Sequence, residues 1–189
     1  MSRLKVALDC DVPDRLAPVL NSLYGHKGFE FFPVTEFADG DSSDDHWADA
    51  FKRFGGKITI SGDAQIAYKP HKVLAFIDNG FMSFFFSSPW HQAPGHVKAS
   101  HAIYWWPIIQ QRILLGPPGR CWRIPSEIRA VKGRLVDVRL APGELEALVI
   151  PDHVLEQARA ERGATQATGH PKPQRAARSR NDRQGGLGV

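Results

Sequence analysis

Val6-Ala7-Leu8-Asp9-Cys10-Asp11-Val12-Pro13 is the stretch whose reading decides the fold. A short apolar run ends in two carboxylates one residue apart, and the proline that follows can only begin a new element. This pattern predicts a buried strand over 5–9 that delivers Asp9 to the surface at its carboxyl end, with a helix opening at Pro13. In open α/β sheets the ligand crevice lies outside the carboxyl ends of the strands. Acidic side chains at such a point are suited to a hard cation such as Mg2+.

Working outward, Leu16, Val19, Leu20 and Leu23 form the stripe of an amphipathic helix, and Phe29 to Val34 reads as a second strand. A polar loop over 38–43 leads to a helix capped by Ser43, with Trp47, Ala50, Phe51 and Phe54 as its apolar stripe and Gly55-Gly56 as its stop. Residues 57–61 predict a third strand. A helix from near Asp63 is expected to be interrupted at Pro70 and to resume through Ile77, and residues 81–86 give the strongest strand signal. A helix over 97–115 is expected to kink at Pro107, and a short fifth strand follows at 121–124. Strands alternating with helices predict an α/β, three-layer fold with right-handed crossovers and a mostly parallel central sheet of about five strands. Residues 1–125 would form this domain and 126–160 a C-terminal extension with an edge strand over 135–140 and a helix over 152–160. Residues 161–189, rich in Gly, Pro, Gln, Ser and Arg, would be a disordered basic tail.

The 189 residues, 42% of them hydrophobic, suffice for one sizeable core. Two cysteines are no disulfide framework and fit a reducing cytosol; Cys10, inside the first strand signal, is expected to be a buried thiol. Met1-Ser2-Arg3 leads straight into the first strand, and no apolar run is long enough to span a bilayer, so a cytoplasmic protein with no membrane partner is expected. Seven basic residues against two acidic ones fall within 159–189. With the whole chain at +4, the remainder is close to neutral and the basicity belongs to the tail.

Asp9 and Asp11 end the first strand, Asp44 and Asp45 open the second helix, and Asp63 follows the third strand in Ser61-Gly62-Asp63. Taken singly, Asp44, Asp45 and Asp63 read as helix caps, worth roughly 0.5–2 kcal/mol each, and Asp11 supports the start of the first helix. Asp9, at a strand end, has no helix to cap. Together, carboxylates on one rim repel one another unless a cation lies among them. One or two Mg2+ or Mn2+ ions would answer that repulsion, and the chemistry that follows is phosphodiester hydrolysis by an activated water.

The pattern Leu8-Asp9-x-Asp11-Val12-Pro13 with Leu16 and Leu20, then Ser43-Asp44-Asp45-x-Trp47, then Ile58-Thr59-Ile60-Ser61-Gly62-Asp63, resembles the PIN-like nucleases, and more narrowly the compact PIN-like ribonuclease toxins of bacterial toxin–antitoxin pairs. The likeness continues through Pro70, the 81–86 strand, Trp90, Trp105-Trp106-Pro107-Ile108 and 119–125. It implies a PIN-type sheet, Mg2+ or Mn2+, RNA as substrate and a protein antitoxin as partner; a homodimer stays open beside a monomer. It further implies catalytic roles for Asp9, Asp63 and Asp44 or Asp45, with Asp9, Asp11, Asp44, Asp45 and Asp63 as the metal-binding set. Where the family usually has Glu-Asn or Glu-Cys this chain has Cys10-Asp11, so Asp11 stands as a substitute ligand. Where the family often has Arg it has Gly62, which removes a phosphate contact.

Lys69, His71 and Lys72 are the candidates for gripping RNA at this rim, and Arg112, Arg120 and Arg123 lie near the last strand. A solvated helix face explains Lys69 and Lys72 equally well. The tail could attract RNA or an acidic partner, or merely solubilise. Of the neighbours Trp105 and Trp106, one is expected on the surface or against a partner. His46, His91, His96 and His101 match no zinc spacing. Two other readings stand beside the nuclease: a catalytically degenerate PIN-like module that binds RNA or a partner, and a haloacid dehalogenase-like phosphatase using Asp9 and Asp11, with Ser61 and Asp78 as its later motifs. Against the phosphatase, the first helix leaves no room for a flap and Lys72 lies too close to Asp78.

Overall fold

The structure is a computed structural model; it describes residues 3–37, 44–63, 65–91, 93–124 and 145–167. The loop over 38–43 with Ser43, the edge strand expected over 135–140 and the tail beyond 167 lie outside the described residues.

Six strands, β1 (Leu4–Leu8), β2 (Phe29–Pro33), β3 (Ile58–Ser61), β4 (Met82–Phe86), β5 (Cys121–Ile124) and β6 (Glu146–Ala147), form one sheet in the order β2-β1-β3-β4-β5-β6. The first five are parallel, and β6 closes the edge antiparallel to β5. Among the described residues six helices accompany them: α1 (Leu16–Tyr24), α2 (Asp44–Arg53), α3 (Pro70–Asp78), α4 (Ser88–His91), α5 (Gly95–Leu115) and α6 (Asp152–Ala167). Among the described residues no helix is long and apolar enough to cross a membrane.

Parallel strands covered on both faces read as unbroken apolar runs, and the all-buried Met82–Phe86 is the plainest case. Alternate residues serve opposite faces. Val6, Leu8, Phe84 and Phe86 point to a core shared with α1 and α5, while Ala7 and Phe85 point to a core shared with α2 and α3. On the α2/α3 side, Thr59, Ser83 and Cys121 stand in register on adjacent strands. Thr59 donates a hydrogen bond to Ser83 at 2.8 Å, and burial pushes the Cys121 thiol up to about 12, against a smaller opposing hydrogen bond from Ser83.

Several expectations are corrected. Leu16, Ala17 and Leu20 form the buried stripe of α1, whereas Val19 and Leu23 are each 43% exposed. Pro18 is tolerated there because the first-turn N–H groups of a helix have no intrahelical acceptor. Pro70 begins α3 rather than interrupting a longer helix: a 3-10 turn at Ile66–Tyr68 precedes it, and Pro suits the first helical position. Trp105 and Trp106 are both buried, at 1% and 0% exposure. Neighbours on a helix are about 100° apart, which a wide apolar face can accommodate; Trp106 packs on Phe29, Phe31 and Tyr24, and Trp105 beside His101. Cys10 is exposed, because β1 ends at Leu8 and the chain turns at once. The final helix continues to Ala167, past the expected start of a disordered tail, with Arg159 and Arg162 of α6 paired to Asp78 of α3 at 2.9 and 3.8 Å.

The crossovers are not all of one hand. The chain steps from β1 out to β2, returns past β1 to β3, and continues to β4 and β5. The steps to β4 and to β5 run the same way, yet α3 covers one face and α5 the other. Two such steps must have opposite hands. The connections through α1, α2 and α3 agree with one another, so α5 is the exception to the usual uniform rule. Its physical reason is coverage: α1, nine residues long, leaves much of its face open, and the 21-residue α5 fills it.

Candidate active site

Strand order reverses between β1 and β3, since the chain leaves β1 in one direction and β3 in the other. The carboxyl ends of these two strands form the switch point at which open α/β sheets take their ligands. Asp9 follows β1 there, and Ser61, Gly62 and Asp63 close β3.

The turn after β1 makes the first part of the site. Asp9 N–H donates to the Ile60 carbonyl and Val12 N–H returns to the Asp9 carbonyl at 2.8 Å, folding Cys10 and Asp11 back over the strand end. Asp9 is 5% exposed. Its Oδ1 accepts from Cys10 N–H at 2.7 Å, and its Oδ2 accepts from the buried Ser61 hydroxyl. Ligand atoms of Asp9, Cys10 and Asp11 all lie within 4.8 Å of one another.

The turn after β3 makes the second part. Ser61 Oγ also accepts from Asp63 N–H at 3.0 Å, so one hydroxyl ties the two strand ends together. Asp63 stands beside the Asp9 group rather than within it: its Oδ1 accepts from Gln65 N–H at 2.8 Å and its Oδ2 lies 3.5 Å from Lys72 Nζ. Gly62 has no room for a side chain, because a Cβ would fall 2.3 Å from Trp90 Cζ3 and 2.9 Å from Asp11 Cβ. That contact explains the glycine at this position: Trp90, stacked on Phe86 with centroids 4.1 Å apart, already fills the space.

A third part comes from the α4–α5 corner. His91 Nδ1 lies 3.5 Å from Asp11 Oδ2, and Lys98 Nζ donates to the Asp11 carbonyl at 3.2 Å. These contacts follow from the crossover of α5, whose first turn lies beside Pro13. Sequence reasoning did not place Lys98 here and gave Ser61 only a phosphatase role; bonds spanning 87 and 52 residues leave no local signal.

Of the other candidates, Asp44 and Asp45 occupy the first positions of α2, and their side chains lie outside what the structure describes. Lys69 is exposed and donates to Gln65 Oε1 at 3.1 Å, beside the Asp63 turn, and His71 is exposed on α3. Arg112 and Arg120 are exposed, and the Arg123 guanidinium lies 4.8 Å from the Tyr68 ring. Asp78, which the phosphatase reading requires, ends α3 at the opposite edge of the sheet and is held by Arg159. Burial lowers the pKa of His101, whose Nε2 accepts from Trp105 Nε1 at 3.2 Å.

The residues fit a hard divalent cation. Asp9 and Asp11 offer carboxylate oxygens at close range, those of Asp9 oriented by Cys10 N–H and the Ser61 hydroxyl. The Cys10 thiol is a soft donor, better matched to other metals than Mg2+. Fold and site thus define a three-layer α/β domain with a carboxylate pair at its topological switch point.

Residues 4–88 match the family model of the PIN-like domain, which supports a PIN-like domain over this part of the chain, a class whose members are generally nucleases. No curated protein and no solved structure matches the chain.

Proposed function

We propose that the chain is a metal-dependent endoribonuclease acting at the β1–β3 switch point. The observation that carries this reading is the Asp9–Asp11 pair, close together at the strand end, with Asp9 locked by Ser61. Asp9 and Asp11 would hold Mg2+ or Mn2+, with Asp63, Asp44 and Asp45 as the further acids that the resemblance assigns to the set. When bound, the ion contributes a lowered water pKa and neutralises charge on the phosphodiester. Ser61 fixes the orientation of the Asp9 carboxylate. Lys72 at Asp63 and Lys69 one turn away offer the cations that draw in a phosphate backbone.

The resemblance to PIN-like toxins supports a narrower reading, that of a toxin held in check by a protein antitoxin. The test of the chemistry is cleavage of single-stranded and structured RNA with Mg2+ or Mn2+. Cleavage should stop with EDTA, and Asp9→Ala should lose it together with the Mn2+-induced rise in Tm expected from mass action. Cleavage that survives Asp9→Ala rejects the mechanism. RNA binding without cleavage by the wild type would support the binding module instead.

A further inference from the structure

We propose that Lys98 is a phosphate-binding residue of this site, taking a phosphate of the RNA strand beside Asp11; this rests on the reading above. Lys98 lies in the first turns of α5 and is half-buried. Its ammonium has three donors, and one is given to the Asp11 carbonyl at 3.2 Å. The ammonium also lies 5.2 Å from the centroid of Trp90, a fully buried ring. Among the described residues no carboxylate forms an ion pair with Lys98, although Asp11 pairs with His91 and Asp63 with Lys72. A half-buried cation with no paired carboxylate among the described residues is electrostatically incomplete, and an anion arriving beside Asp11 completes it.

The surroundings favour this position for a substrate contact. Position 62, between the two carboxylate turns, accepts no side chain, because Trp90 and Asp11 already occupy the space. A cation beside these turns must therefore come from another element, and α5 provides one at the Asp11 carbonyl. The carbonyl and the ring fix where the ammonium stands, so little side-chain freedom is lost when a phosphate binds. The competing role is purely mechanical: Lys98 as a strut tying α5 to the turn after β1.

The experiment uses the full chain with Lys98→Met, which keeps the aliphatic stem over Trp90, and Lys98→Arg, which keeps the charge. Binding of a fluorescein-labelled oligouridylate is followed by anisotropy in Ca2+ at several salt concentrations, and the Mn2+-induced change in Tm is recorded for each protein. Lys98→Met should weaken binding about tenfold and lower the salt slope by about 0.7, the value for one phosphate on a single strand. Lys98→Arg should recover most of both, and each protein should still show a Mn2+-induced rise in Tm. An unchanged affinity and slope in Lys98→Met overturns the proposal, as does a fall in Tm with an unchanged slope. A wild type that neither binds the oligouridylate nor responds to Mn2+ removes the nuclease reading and this one with it; a responsive wild type beside an unaltered Lys98→Met removes this one alone.

Discussion

Two clusters of charge sit at opposite edges of the same sheet, and they are built on different principles. At the edge where α3 ends, Asp78 faces Arg159 and Arg162 at 2.9 and 3.8 Å, and Asp49 accepts from Asn79 at 3.1 Å. Each acid there meets a cation or amide across two helices, which is how a surface joint is made. At the carboxyl edge of β1 and β3, Asp9 and Asp11 approach each other instead, and the donors that orient Asp9 include a backbone N–H and a hydroxyl. Neutral donors orient a carboxylate without cancelling its charge. The first cluster ties two helices together through opposite charges; the second gathers carboxylates at a strand end, with His91 and Lys72 at its margins.

That contrast can be broken by experiment. The largest effect is expected from Ser61→Ala, which removes the hydroxyl shared by Asp9 and Asp63 N–H. RNA cleavage should fall by about 10- to 100-fold, the equivalent of roughly 1.5–3 kcal/mol for a hydrogen bond to a charged group. Wild-type rates in this variant would show that Asp9 needs no such support. Next is Gly62→Ala, where the added methyl meets Trp90 and Asp11; overpacking of this kind costs about 1–3 kcal/mol. Urea denaturation should show a lower midpoint, and an unshifted one would mean that Trp90 yields freely. The smallest change belongs to the opposite edge. Asp78→Asn should cost less than about 1 kcal/mol, because partly exposed ion pairs are screened. It should also leave cleavage and the Mn2+ response intact. Lost activity there would mean that the two edges are coupled.

The sheet and the place of the site were largely legible because their signals are local. The run Phe84-Phe85-Phe86 can only be a strand buried on both faces, and Asp9 follows an apolar stretch too short for anything but a strand. What was not legible depends on distant packing. Trp105 beside Trp106 looked like one ring too many, because nothing nearby in the chain announces the pocket made by Phe29, Phe31 and Tyr24. Cys10 looked buried because the strand's end, one residue earlier than expected, decides which way it faces. Gly62 looked like a lost contact; its meaning lies in Trp90, 28 positions on. Lys98 belonged to no motif, since the crossover that brings it to Asp11 runs against the usual hand.

The placement of α5 also makes the helix a ruler. Trp106 is gripped at mid-helix by aromatic rings, and Lys98 lies eight residues earlier, about 12 Å along the axis at 1.5 Å per residue. One residue inserted between them would swing the ammonium by about 100° and lift it off the turn, while every acid stayed where it is. The spacing between an anchor and a charge, beside the packing of the residues inside that span, is a quantity this part of the chain has to keep.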